Sequence, residues 1–447
     1  MEDEWRVCRL GDVVDIFDGP HATPRKIDAG PIFLGISNLA NGRLGLTSTA
    51  HLSEEDYIRW TRRVTPQEGD VVFSYETRLG EAAIIPAGLK CCLGRRMGLL
   101  RTKSSHLDSR FLLYTYLGAE FQETIRSRTV HGSTVDRIPL VEMPDFPIRL
   151  PSLKTQQAIA CILGTLDDKI ELNRRMNETL EGIARAIFKS WFVDFDPVRA
   201  KASGEQPPGL APHIADLFPD AFETSESGEI PRGWMRTSLK RLFPLDSNCV
   251  ITGPFGSKLH ASDYREEGVP LLLVKNVVNG AIVEDGVPLV GWHKVPELER
   301  YRLKLGDIVF TRVGAVGRSA YIYPRYVGWM ISGQTLRVSI SDWDILHPRY
   351  LASVFQYPAF IAMVESHALG TTRPSLNTNI LKSFEFLYPP PELQLEYARI
   401  VAALNERRLA NLDQIGTLAT LRDTLLPRLI SGELRVPDAE RIVRRKL

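Results

Sequence analysis

Two groups of carboxylates, Asp167-Asp168 and Asp194-Phe195-Asp196, are spaced closely enough to share a divalent metal ion. The first lies in a stretch almost free of Gly and Pro, where charged residues on a helix face are routine. The second opens a Pro- and Gly-rich segment and reads as a helix-stop turn, so neither is assigned catalysis. Gly314-Ala315-Val316-Gly317 is too short for a dinucleotide fingerprint and reads as a turn between strands. A G-x-x-x-x-G-K-[ST] phosphate loop is absent from the sequence. The nine histidines include no i, i+4 pair, and Cys8, Cys91, Cys92, Cys161 and Cys249 contain no C-x-x-C. An odd, scattered set of thiols reads as reduced cysteines in a cytoplasm. With no catalytic residue and no metal ligand set assigned, the residue types point to a protein that recognises rather than one that catalyses.

The 447 residues carry 55 Lys+Arg against 54 Asp+Glu, a formal charge of +1, and so exclude a polybasic chain that coats nucleic acid by bulk charge. Apolar residues at 44% and charged residues at 24% are those of a globular protein, long enough for roughly three domains. The charged start Met1-Glu2-Asp3-Glu4-Trp5-Arg6 offers no apolar signal region. Apolar runs such as Leu271-Leu272-Leu273-Val274 stop far short of the roughly 20 residues that cross a bilayer.

The chain is written twice. Trp5-Arg6 opens one half and Trp234-Met235-Arg236 the other. Gly30-Pro31-Ile32-Phe33-Leu34 with Asn38 and Gly42 recurs as Gly268-Val269-Pro270-Leu271-Leu272 with Asn276 and Gly280. Gly69-Asp70-Val71-Val72-Phe73-Ser74 recurs as Gly306-Asp307-Ile308-Val309-Phe310-Thr311. Leu107, Arg110, Phe111 and Leu112 recur as Leu346, Arg349, Tyr350 and Leu351; Gly132-Ser133-Thr134 as Gly370-Thr371-Thr372; Pro151 and Gln156 as Pro389 and Gln394. Ordered matches in so steady a register mean duplication. The residues between them differ, so the halves share a scaffold and not a surface.

Each half begins with short apolar runs broken by Gly and Pro, read as strands and turns, around at least one helix, Leu107 to about Arg126 and Leu346 to about His367. This is an α+β pattern. Each half ends in a heptad stretch. Ile159, Leu163, Leu166, Ile170, Asn173, Asn177, Leu180, Ala184, Ile187 and Trp191 alternate steps of four and three, the seam of a coiled coil. Ser152 is its N-cap. The second copy runs from Glu392 through Ile400, Leu404, Asn411, Ile415, Leu418, Leu425 and Leu429, with a kink expected at Pro427 and a stop at Gly432. Asn173 and Asn177 on the seam suit a register-fixing role. Residues 194–230, rich in Pro and Gly, read as an irregular surface connection.

These motifs carry a family resemblance. The Gly-Asp-(Val/Ile)-Val-Phe-(Ser/Thr) strands, the Gly-(Ser/Thr)-Thr turns and the Pro-x-x-x-x-Gln openings resemble those of DNA target-recognition domains. Leu180-Glu181-Gly182-Ile183-Ala184 to Trp191-Phe192-Val193-Asp194-Phe195-Asp196-Pro197, then Glu229-Ile230-Pro231-Arg232-Gly233-Trp234, resembles a central conserved region. Leu425-Leu426-Pro427-Arg428-Leu429-Ile430-Ser431-Gly432-Glu433 resembles a distal one. Together they are similar to the specificity subunit of type I restriction–modification enzymes, over residues 5 to 435. The resemblance implies two tandem target-recognition domains, 1–150 and 231–388, each followed by a long helix, 151–193 and 389–435, with a linker at 194–230 and a C-terminal tail at 436–447. The helices would pair as an antiparallel coiled coil with pseudo-twofold symmetry through Leu163, Leu166, Ile170, Asn173, Asn177, Leu180, Leu404, Asn411, Ile415, Leu418 and Leu425. They would set two unrelated half-sites roughly one turn of double-stranded DNA apart.

The resemblance further implies two docked methyltransferase (modification) subunits and endonuclease–translocase (restriction) subunits. S-adenosylmethionine, ATP and Mg would belong to those partners, and this chain would bind no cofactor and no membrane. Base edges are read by polar side chains at loop tips and phosphates by Arg and Lys. That selects Thr77, Arg78, Arg95, Arg96, His131, Ser133 and Thr134 in the first domain, and Lys258, Arg312, Gln334, Thr371, Thr372 and Arg373 in the second. Tyr75 reads as a surface-packed aromatic, with stacking on a displaced base as the alternative. A coiled-coil scaffold without DNA specificity is the alternative; it accounts for the rods and the neutral charge but not for the duplicated domains.

Overall fold

The computed structural model describes residues 5–20, 24–103, 106–132, 135–225, 228–278, 280–368 and 375–446. The chain divides into two compact units, Met1–Arg175 with Ala410–Leu447, and Met176–Leu409. Both boundaries fall inside the long helices, Leu153–Phe192 and Pro391–Ile430, each 40 residues, so each unit owns one α+β domain and a part of both helices.

In the first unit, Arg6–Arg9 pairs antiparallel with Pro147–Leu150 and closes the domain. Its main sheet is antiparallel, in the order Val14–Asp18, Met97–Thr102, Val71–Ser74, Ala82–Ile84. A second sheet sets Ala50–His51, Ile27–Leu34 and Cys91–Leu93 side by side, the last pair parallel. The second unit repeats the plan. Met235–Thr237 pairs with Phe386–Tyr388, and the main sheet runs Val250–Thr252, Thr335–Val338, Ile308–Thr311, Ser319–Tyr321. Val71 to Ser74 and Ile308 to Thr311 are buried throughout, which is why they read as unbroken apolar runs.

The residues that recur between the halves build this scaffold. Gly69 and Gly306 take φ +85°, the turn into the central strand. The following Asp70 and Asp307 accept the Gln67 and Lys304 amides, each at 2.8 Å. Asp70 is then paired with Arg101 at 2.6 Å, and Asp307 accepts the Ser339 hydroxyl at 2.6 Å. Burial raises the Asp307 pKa. Asn38 accepts the Gly35 amide and donates to the Gly45 carbonyl; Asn276 makes the same loop staple with Leu273 and Val283. Gln156 accepts the amide of Asp108 and donates to the carbonyl of Pro151, as Gln394 does with His347 and Pro389. Each repeated polar residue satisfies buried backbone groups that would be costly to leave unpaired.

The long helices behave as their seam requires. Ser152 caps the first through the Thr155 amide, and Gly432 at φ +79° ends the second, whose last turn contains Pro427. Inside the first unit Asp167 meets Arg422 at 2.9 Å and Asn173 Nδ2 donates to Gln414 Oε1 at 2.9 Å, an antiparallel pairing. Inside the second, Arg408 meets Glu181 at 2.8 Å while Trp191 lies against Tyr397, again antiparallel. Leu163, Leu166, Ile170, Asn173, Asn177, Asn411, Leu418 and Leu425 are buried; Leu180, Leu404 and Ile415 are partly so.

Two expectations need correction. The continuous helix expected in each domain is broken in two: Ser109–Leu117 and Ala119–Arg128 break at Gly118, and Pro348–Gln356 and Pro358–Ser366 break at Tyr357. Pro358 drives the residue before it out of the helical region, and Tyr357 sits at φ −72°, ψ 134°. A Cβ at Gly118 would stand 3.1 Å from Ile430, so the chain turns where it meets the helix. Residues 194–230 are not irregular: they hold the helices Asp196–Ala202 and Pro212–Ala215 and the hairpin of Phe222–Ser225 with Gly228–Pro231. Val198 and Phe218 are core residues, which no surface connection would contain. The tail is the helix Val436–Lys446, with Ala439 fully buried.

Candidate nucleic-acid interface

In the first unit the central strand ends at Ser74 and delivers three loops to one rim. Tyr75 N–H donates to the Arg96 carbonyl at 3.2 Å, joining loop 75–80 to turn 94–97. Ile138 N–H donates to the Tyr75 carbonyl at 2.9 Å, and Glu76 and Val130 both bridge Arg137, which brings in Val130, Arg137 and Ile138. Thr77 (φ +69°) and Arg96 (φ +71°) hold left-handed backbone at the two tips, an unusual state for such residues. The guanidinium of Arg96 ties the tips together, 2.9 Å from Glu76 and 3.2 Å from the Thr77 hydroxyl.

The second unit assembles the same rim from different residues. Arg312 N–H donates to the Gln334 carbonyl, and Leu376 N–H to the Arg312 carbonyl, both at 2.9 Å. Val313 bridges Ser375. The Arg312 side chain donates to the Leu376 carbonyl and lies over the Phe255 ring at 5.0 Å. Lys258 N–H donates to the Phe255 carbonyl, which places that lysine beside the ring.

The candidates sort by what holds them. Thr77 and Arg95 are exposed at the first rim and His131 stands beside Asp136 at 3.1 Å; Lys258 and Gln334 are exposed at the second. Arg78, held by the Ile36 carbonyl and Glu81, and Arg96 and Arg312, held as described, position the loops. Ser133, Thr134, Thr371, Thr372 and Arg373 lie outside the described residues. Tyr75 is corrected: only 5% exposed, its ring belongs to the core and cannot reach a base, and burial raises its pKa. Phe255, 53% exposed, is the rim residue that sequence reasoning missed. Its signal was the Gly-Pro pair before it, which occurs also at Gly19-Pro20.

The paired carboxylates are structural. Asp167 accepts the Tyr114 hydroxyl at 2.8 Å and is paired with Arg422 and, at 3.2 Å, with Arg43; Asp168 pairs with Arg110 at 3.0 Å. Burial, then the Asp167 charge, holds the Tyr114 pKa far above its usual range. Asp194 pairs with Lys189, and Phe195 turns the chain at φ +58° into the next helix. Gly314 and Gly317 shape the turn between two strands of the main sheet, as read.

Residues 2–182 match the family described as Type I restriction modification DNA specificity domain. The chain is 24% identical over 445 residues to the type I restriction enzyme MjaIX specificity subunit of Methanocaldococcus jannaschii, covering 97% of this chain and 94% of that one. The chain is thus similar, over nearly its whole length, to type I restriction enzyme specificity subunits. The HindI specificity subunit of Haemophilus influenzae is 28% identical over 347 residues, 68% of this chain and 72% of that one. In fold the chain is similar to the S subunit of a type I restriction–modification system from M. genitalium, with TM-score 0.60 at 16% identity over 96% of both chains. No described helix of the chain is long and apolar enough to cross a membrane.

Proposed function

We propose that this chain supplies the DNA specificity of a type I restriction–modification assembly without catalysing any step itself. Each unit reads one half of a split target with its rim. The two half-sites are unrelated, so the target is asymmetric. The observation that carries this reading is that the same three loops converge at the same end of both main sheets but present different side chains. Thr77, Arg95 and His131 stand at one rim; Lys258, Gln334 and Phe255 stand at the other. Polar and cationic tips of this kind address base edges and phosphates. The long helices dock two methyltransferase subunits, and the endonuclease–translocase subunits join that assembly. S-adenosylmethionine, ATP and Mg are held by those partners.

The test is to express the chain with a methyltransferase partner and map methylated adenines across cellular DNA. A split, asymmetric motif with a fixed gap is expected. Methylation without sequence preference would overturn the reading in favour of a coiled-coil scaffold.

A further inference from the structure

We infer that the first unit carries a phosphate-binding pocket beside its rim, one that grips the DNA backbone irrespective of sequence. A cavity of about 460 Å³ opens between Asp18-Gly19-Pro20, the end of the Glu54–Trp60 helix with the turn after it, and Leu93. Three arginines line it, Arg59, Arg62 and Arg63. Arg63 is neutralised by Asp18 at 2.8 Å. Arg59 and Arg62 are exposed and have no carboxylate partner among the described residues. Between them stands Trp60, whose indole Nε1 is buried with no acceptor among the described residues. The two free guanidinium groups form the donor set for an anion, and arginine matches the oxygens of a phosphate in particular.

The pocket adjoins the rim. Gly19 N–H donates to the Met97 carbonyl at 2.7 Å, and a Cβ at Gly19 would come within 2.5 Å of the Gly94 carbonyl oxygen. The 94–97 turn is therefore the wall that separates the pocket from exposed Arg95. A duplex read at the rim by Thr77 and Arg95 has its backbone within reach of this wall. In the corresponding stretch before the second unit's central strand, Arg302 is paired with Glu299 at 3.3 Å and Arg300 lies over the Tyr301 ring.

This inference rests on the DNA-reading function, and the experiment separates the two. Binding of the full chain to the mapped target duplex and to a scrambled duplex is measured against salt concentration for wild type, R59Q/R62Q and W60F, with thermal melting as the fold control. The double variant should flatten the log–log salt slope by about 1 to 2, and should weaken both duplexes by the same factor. W60F leaves both cations in place and should leave the slope unchanged. An unchanged slope in the double variant overturns the pocket, while the functional reading stands if wild type still prefers its target. A wild type without preference overturns the functional reading, and the slope still decides the pocket. A third arm titrates inorganic phosphate. Phosphate that binds wild type but not R59Q/R62Q, with the DNA slope unchanged, assigns the site to free phosphate and overturns the backbone role.

Discussion

The two units have the same strand order and the same buried polar staples, yet they fasten their domain to the long helices by different physics. In the first unit an ionic network is added to the apolar packing of Leu163, Leu166 and Leu429. Asp167 gathers Arg43, Arg422 and Tyr114, Glu171 takes Arg43 at 2.7 Å, and Asp168 takes Arg110. In the second the fastening is aromatic. Phe192 lies 4.9 Å from Tyr350 and 5.1 Å from Tyr397, and Trp191 lies 5.3 Å from Phe218, edge to face. A duplicated scaffold holds its backbone staples fixed and lets the docking chemistry drift. Satisfying a buried amide has few solutions, whereas burying a helix face has many.

The largest expected effect tests the aromatic side. Trp191 is 4% exposed, and Trp191→Ala should cost about 3–5 kcal/mol in a denaturant titration, since no neighbour fills so large a void. Leu429 occupies the comparable position on the other long helix, and Leu429→Ala should cost about 2–4 kcal/mol. A cost at Trp191 no larger than that at an exposed alanine site would deny the cluster its anchoring role.

The next concerns one cap written two ways. Asp108 caps the first domain's helix by accepting the Phe111 amide at 2.9 Å, and His347 caps the second by accepting the Arg349 amide at 3.2 Å. Burial, and then Arg349, depress the His347 pKa to about 4. The unfolded chain therefore takes up this proton first. The neutral cap contributes its full stability above about pH 6.5 and loses it as pH falls toward 4, a difference on the order of 3 kcal/mol. Protection factors, with the intrinsic exchange rate at each pH divided out, should fall in Pro348–Gln356 over that window and stay level in Ser109–Leu117. His347→Asp should abolish the difference.

The ionic side comes third. Asp167→Asn retains shape but removes the charge that Arg43, Arg422 and Tyr114 share, at side-chain exposures near 20%. A loss of about 1–3 kcal/mol is expected, with a wild-type stability that falls on raising salt more than that of the variant. Equal salt dependence in the two proteins would remove the charge network from the account.

These contrasts explain what the sequence discloses. The duplication and the long helices are legible because heptad spacing and backbone-satisfying residues such as Asp70, Asn276 and Gln394 leave fixed patterns. The fold of 194–230 is not, because Pro and Gly mark its turns while Val198 and Phe218, which make it part of the core, are single residues without period. Half of the rim is legible in the same limited sense. Residue type suggests Arg78, Arg96 and Arg312 as readers, but only three-dimensional contacts reveal that they are occupied holding loops.

The exposed ring of Phe255 gives the finest test of the comparison between rims. Phe255 stands where the second unit's rim offers Arg312 and Lys258, and the first unit's answer to the same scaffold is a cationic pocket. A half-exposed ring at a reading rim suits apolar contact with a thymine methyl, which discriminates between bases, whereas a phosphate grip does not. Phe255→Ala should weaken target binding by about 1 kcal/mol, leave scrambled duplex unchanged, and relax preference at one position of one half-site only. Arg59 and Arg62 substitutions should do the reverse. If Phe255→Ala instead weakens both duplexes alike, the two rims grip DNA in the same way, and their different surfaces need another explanation.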